Sequence, residues 1–325
     1  MATTLRNISI NSSKATTIFF EPVWKDMITQ GDFRIMANVT SKKKIGYVQK
    51  LENIIQKATG CGFTPKGKVG VYTREIEVDP FKINIAQCFD EFKDTMFEEM
   101  LKKGNMKYDL NGTLMMDILI TKVRDAMDLD YTRLFWWGDK SSTDTNNNLT
   151  DGIWSVHIPA LVAANQTPYV NSNSGAPLAP GDAIALLKEV YENQALVLKG
   201  LPKTMKRFYV SDSVFEAYEC DLENIGGGDA GRTQLINGVE TLFYRGIQLV
   251  NNAKWDEYTT NVLGNPDTHQ VLLSAPDNLI FATDLLSSLN SIEVFFDKLE
   301  EQTYLKVNGK FGTNYVHPQL MVAAY

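Results

Sequence analysis

The segment Gly226-Gly227-Gly228-Asp229-Ala230-Gly231 has the G-x-G-x-x-G spacing with which a tight turn lays backbone amides against a pyrophosphate. That chemistry needs a strand before the turn and an amphipathic helix after it, so that the helix N-terminus faces the anion. Here a predicted helix precedes the glycines, and Thr233 to Gly238 after them is too polar and too short to pack as one. The segment reads as a flexible loop. His157, His269 and His317 stand apart, with no His or Cys at metal-ligand spacing, and read as structural. Cys61, Cys88 and Cys220 are odd in number and scattered. They predict small buried side chains in a reducing compartment, neither a disulfide framework nor a zinc site. Asp128 and Asp130 offer the oxygen ligands Mg²⁺ prefers, but two carboxylates near a predicted helix end read as solvated. No G-x-S-x-G nucleophile elbow occurs; Ser174-Gly175 and Ser211-Asp212-Ser213 read as turn and cap residues. The sequence thus predicts no catalytic residue, no cofactor and no metal ligand.

Charge narrows the partners. Lys and Arg number 32 against 39 Asp and Glu, a net charge of −7. A protein that grips DNA by releasing counterions is normally basic, so any contact with nucleic acid is expected to be loose, non-specific and confined to one face. Lys42, Lys43 and Lys44 form the one basic triplet; solvation or pairing with acidic residues of another subunit is the expectation, with Glu98, Glu99, Glu300 and Glu301 as complements. No apolar run approaches the ~18 residues that span a membrane, so no membrane partner is expected. Met1 to Phe20, rich in Ser, Thr and Asn, lacks the basic start and apolar stretch of a secretory signal.

The elements that must position these residues follow from periodicity. A polar arm over 1–30 precedes weak alternation from Phe33 to Val39, and a short helical stretch is predicted around Val48 to Ala58. Val69 to Val78 reads as extended chain stopped at Asp79-Pro80; Phe81, Ile83 and Ile85 alternate as another strand. Two helices are predicted, at 87–103 and from about Thr113 to Asp128, the second with Met115, Leu119, Val123 and Ala126 on one face. Leu134 to Trp137 follows as a core aromatic cluster, and 139–150 as a solvated loop. Beyond a polar boundary at 165–181, Asp182 reads as the N-cap of a helix ending at Gly200-Leu201-Pro202, with Ile184, Leu187, Tyr191 and Leu198 on one side. Phe208 to Val210 is a strand, and Ser213 with Glu216 a capping box. Leu242 to Val250 reads as a strand bent at Gly246, Val271 to Ala282 as apolar strand, and Asn308-Gly309 as a two-residue hairpin turn.

The helix–strand–helix unit at 182–221, with its Phe208-Tyr209-Val210-Ser211-Asp212 step, followed by Leu242 to Val250, Val271 to Ala282 and Thr303 to Leu320, resembles in order the tail half of tailed-phage major capsid proteins of the Hong Kong 97 type. The resemblance implies an α+β, Hong Kong 97-like fold with an N-terminal arm (1–30), an extended β-hairpin loop region (31–86), a peripheral domain (87–164 and 286–325) with a long spine helix at 113–128, and an axial domain (165–285). It implies a non-enzymatic structural protein that self-assembles in hexamers and pentamers into an icosahedral shell around a double-stranded DNA genome. Assembly would take place in the host cytoplasm and the product would be the virion capsid, with a separate scaffolding protein, portal and decoration proteins as further partners. Lys42, Lys43 and Lys44 and, at an assembly axis, Gly226, Gly227 and Gly228 become the expected inter-subunit contacts. No charged helical scaffold is visible before the arm, and no Lys–Asn crosslink position is matched. An encapsulin-type compartment, a tail or baseplate protein, or a soluble α/β enzyme with an unrecognised site are the alternatives.

Overall fold

The computed structural model describes residues 33–48, 54–57, 66–92, 114–172, 175–224, 233–236, 239–265, 268–284 and 293–325. The arm at 1–30, Cys61, Glu98, Glu99, Gly226, Gly227 and Gly228, and 93–103 of the first predicted helix lie outside them. Along the chain, β1 (Arg34–Met36), β2 (Lys42–Val48), β3 (Val71–Glu77) and β4 (Asp79–Cys88) precede helix α1 (Leu114–Trp137). A π-helical turn at Ile153–His157 leads into α2 (Ile158–Ala163) and β5 (Tyr169–Val170). Next come α3 (Asp182–Glu192), α4 (Leu196–Lys199), β6 (Arg207–Val210) and α5 (Asp212–Asn224). The chain continues through β7 (Thr233–Ile236), β8 (Val239–Tyr244), β9 (Ile247–Asn251) and α6 (Ala253–Asn261). It closes with β10 (Val271–Ser274), β11 (Leu279–Thr283), β12 (Glu293–Asp297), β13 (Gln302–Tyr315) and β14 (Met321–Ala324).

Three sheets result. One has seven strands in the order β5-β14-β10-β6-β9-β8-β7. Alternation sends Phe208, Val210, Val271, Leu273, Val322 and Ala324 to one face, against Ala183, Leu187, Val190 and Val214 of α3 and α5. Tyr209, Leu272, Met321 and Ala323 point the other way, into a core built on Trp136, Trp154 and Trp255. Burial on both faces explains why these strands read as continuous apolar runs. The second sheet has five strands. Its spine is the long β13, paired with β4 on one side and with β12 and β11 on the other, and β1 adds in parallel to β11. The third is a two-stranded ribbon of β2 and β3 alone.

Several expectations give way to tertiary packing. Val48 ends a strand, and 54–57 are irregular, so the described part of the predicted helix at 48–58 is not helical. Asp79-Pro80 does not stop the extended chain; a single break at Val78 separates β3 from β4, which runs on through Cys88 to a short 3-10 turn. Helix α1 is 24 residues long, about 36 Å at 1.5 Å per residue, and swallows the aromatic cluster. Its buried face is Met116, Ile120, Val123, Met127, Tyr131 and Leu134, whereas Ala126 is exposed. Asn147 and Thr150 in the 139–150 loop are buried, Asn147 donating to the Tyr258 hydroxyl at 2.6 Å.

The helix predicted from Asp182 to its end at Gly200-Leu201-Pro202 breaks after Glu192. Its start is held from outside: the Gly181 and Ile184 amides donate to the Asp221 carboxylate of α5, at 2.5 and 3.4 Å, so Asp182 is not the cap. Ser213 is the second residue of α5, and its amide donates to Asp256 at 2.7 Å, which displaces the capping box. Arg245 and Gly246, both at positive φ, turn a hairpin between β8 and β9 instead of bending one strand. Asn308-Gly309 is no turn. It lies inside β13, where a Cβ on Gly309 would come within 2.4 Å of the Phe81 ring. β1, β4 and β11 belong to the five-stranded sheet, and the terminal β14 to the seven-stranded one.

Candidate assembly interface

The ribbon is anchored at one end and bare at the other. At its root Ile45 and Ile76 join Val39 and Val78 against Ile280 and Ala282 of β11. Asn314 of β13 donates to the Glu75 carbonyl at 2.8 Å, and the Arg74 guanidinium lies 3.8 Å above the Tyr315 ring. Lys140 reaches from the body to Asp79 at 2.6 Å. At the far end Val48, Val71 and Tyr72 are each 60% or more exposed, and Val69 and Ile54 nearby are about half exposed. A lone two-stranded ribbon is marginal in water. This one holds its root by burial and presents exposed apolar side chains, Val48 and Val71 foremost, at its tip.

Lys42, Lys43 and Lys44 lie on β2 and are exposed. Lys42 pairs with Glu77 at 3.1 Å and Lys44 with Glu75 at 3.6 Å across the ribbon. The Lys42 hydrogen bond, with Lys140 beside it, lowers the Glu77 pKa below the ordinary carboxylate value. Both pairs lie directly across the ribbon in its register, Lys42 opposite Glu77 and Lys44 opposite Glu75. Of the expected complements, Glu300 takes its hydrogen bond from Tyr304 in its own hairpin, and Glu301 is exposed beside it.

The histidines are structural in different ways. His157 is half-buried against Tyr315, ring centroids 5.5 Å apart, and desolvation depresses its pKa, with Asp151 opposing the effect and Arg74 adding to it. His269, at positive φ, places Nδ1 3.2 Å from the Ser213 hydroxyl and Nε2 2.8 Å from the Ala176 carbonyl. Their separation of 56 residues hid this pair from sequence reading. With the ring 1% exposed, it ties three segments together and is out of reach of a substrate. His317 accepts from the Gln319 amide at 3.1 Å, capping a short turn. Asp130 pairs with Arg133 at 2.9 Å, and among the described residues no cluster of His, Cys, Asp and Glu could hold a metal ion. Cys220 is exposed and Cys88 half-buried, so neither is the core residue expected. One groove went unseen in the sequence. It holds about 200 Å³ between α1 and α6, lined by Leu129, Trp136 and Trp137 from one and by Trp255, Tyr258 and the following Val262 from the other, two groups far apart in the sequence that only the fold unites. Among the described residues no helix is long and apolar enough to cross a membrane.

No protein-family model and no curated protein matches the chain in sequence. Its fold is shared with solved shells. It is similar to the capsid protein of cyanophage P-SCSP1u, at 12% identity and a TM-score of 0.53, over 100% of this chain and 90% of the other. It is similar to the satellite phage P4 procapsid, at 9% identity and 0.56, over 94% and 98%, and to the capsid of the myovirus phage XM1, at 10% identity and 0.56, over 92% and 90%. The chain has the Hong Kong 97 fold. At these identities the likeness lies in the path of the backbone, and it extends over nearly the whole length of both chains.

Proposed function

We propose that this chain is a major capsid protein that self-assembles, as hexamers and pentamers, into a closed icosahedral shell enclosing the double-stranded DNA of a tailed phage. The ribbon of β2 and β3 acts as the extended loop, α1 as the spine helix of a peripheral domain built on the five-stranded sheet, and the seven-stranded sheet with α3 and α5 as the axial domain. The arm at 1–30 and Gly226, Gly227 and Gly228 take neighbour and axis contacts. The protein has no reaction to perform. Its partners are copies of itself, with scaffolding, portal and decoration proteins as further contacts and the packaged DNA touched loosely. The observation that carries this reading is the ribbon: a root buried in the body and a tip whose Val48, Val71 and Tyr72 are exposed. Exposed apolar surface of this kind is stabilised by a partner, and an interface between stable neighbours buries roughly 1,600 Å² per pair.

The test is electron microscopy of the purified chain, alone and with co-expressed neighbouring genes. Closed particles of uniform size are expected, and nuclease-protected DNA inside particles made during infection. Dispersed monomers under every condition overturn the proposal. Protein cargo in place of DNA moves it to an encapsulin-type compartment, and open tubes or rings to a tail component.

A further inference from the structure

Two exposed patches in different sheets' connections carry opposite charge around an apolar centre. Residues 193–211 carry four cations and no carboxylate in a chain of net charge −7. Lys206, itself buried, donates to Gln194 at 2.9 Å and closes 194–206 into a compact loop. On that loop Leu196 is 85% exposed, with Val197 and Met205 also bare, and Lys199 and Lys203 stand beside them in solvent. The turn between β12 and β13 is the converse. Leu299 is 94% exposed at its apex, and the segment 293–301 has four carboxylates to one lysine. Asp297 accepts from the Leu299 amide at 2.8 Å, which fixes the turn so that Leu299 projects. Single exposed apolar side chains are ordinary on protein surfaces. What selects these is an apolar centre ringed by one sign of charge in one patch and by the other sign in the second. Among the described residues no ion pair engages Lys199, Lys203, Glu300 or Glu301.

We propose that the loop at 194–207 of one subunit receives the turn at 297–301 of a second copy. Leu299 enters between Leu196, Val197 and Met205, and Glu300 and Glu301 meet Lys199 and Lys203. The contact joins two different patches, so it is heterologous and propagates around an axis instead of pairing off. The leucine supplies burial, while the charges choose the partner and fix the register. This inference rests on the shell reading and deepens it by naming one of its joints.

Charge exchange tests it. Lys199→Glu with Lys203→Glu, or Glu300→Lys with Glu301→Lys, places like charges face to face; each pair is expected to cut the fraction of subunit sedimenting as particles by about tenfold or more. Circular dichroism should be unchanged, since all four side chains are exposed and the one intrachain contact described for them is the surface hydrogen bond from Tyr304 to Glu300. All four substitutions together are expected to restore assembly to near the wild-type level. Wild-type particles with either reversed pair assembling normally, or with the fourfold variant no better than the pairs, overturn the joint and leave the shell standing. Wild-type protein that never assembles overturns both.

Discussion

The seven-stranded sheet and the ribbon spend similar residues to opposite ends. In the sheet, Val271, Leu272 and Leu273 and the facing Val322 and Ala323 are wholly buried, and both faces are covered by the chain's own helices and aromatic rings. In the ribbon, Ile45 and Ile76 are buried at the root, while Val48, Val71 and Tyr72 lie bare at the tip. The sheet is complete within one subunit. On the shell reading, a neighbouring copy completes the ribbon. Stability and assembly therefore sit in different parts of the molecule and should fail separately.

The largest loss of stability is expected in the body. Phe281 is fully buried, its ring centroid 4.6 Å from Phe311 and 6.0 Å from Tyr131. Phe281→Ala leaves a cavity and is expected to cost about 3–5 kcal/mol, read as a lower midpoint in urea. Assembly is then lost because the subunit unfolds.

The seam between the ribbon and the five-stranded sheet of the body is intermediate. His157 packs on Tyr315, which carries Arg74 of the ribbon on its other contact. Its folded pKa lies below the ordinary 6.5, so the unfolded chain binds the proton more readily. Stability from this group is full above 6.5 and falls as pH drops through that value. The melting temperature should decline from pH 7 to pH 5, and His157→Phe should flatten that slope. His317, whose pKa burial also lowers, keeps a residual slope in the variant. A variant with an unchanged slope removes the seam from the account.

The smallest effect on stability is expected at the tip. Val48→Ser with Val71→Ser should leave the unfolding free energy within roughly 0.5 kcal/mol of wild type, as for surface changes generally. Particle yield should nevertheless collapse. If stability falls as it does for Phe281→Ala, the contrast between the regions disappears.

Where local pattern and tertiary packing agree, the chain was readable. Phe81, Ile83 and Ile85 alternate and pack on the core from β4, and Phe208 to Val210 is a strand followed at once by a helix. Misreadings arose where one residue type serves two purposes. Asn308-Gly309 signals a turn locally, but its glycine exists to admit the Phe81 ring. The apolar stripe of α1 was set one residue off because Met115 and Met116 are equivalent in sequence, and only the aromatic partners of Tyr131 and Trp136 choose between them. Asp182 suits an N-cap by type, yet Asp221 takes that role from 40 residues away. As for the candidate site, Lys42 and Lys44 were visible as charge, but their partners Glu77 and Glu75 follow from a strand register that composition does not encode.

Hydrogen exchange on the ribbon, in free subunit and in assembled particle, tests the central claim most directly. At the tip, amides near Val48 and Val71 should exchange rapidly in the subunit and become strongly protected in the particle, while those of β10 and β14 are protected in both. Particles whose ribbon tips exchange as fast as in the free subunit would contradict it.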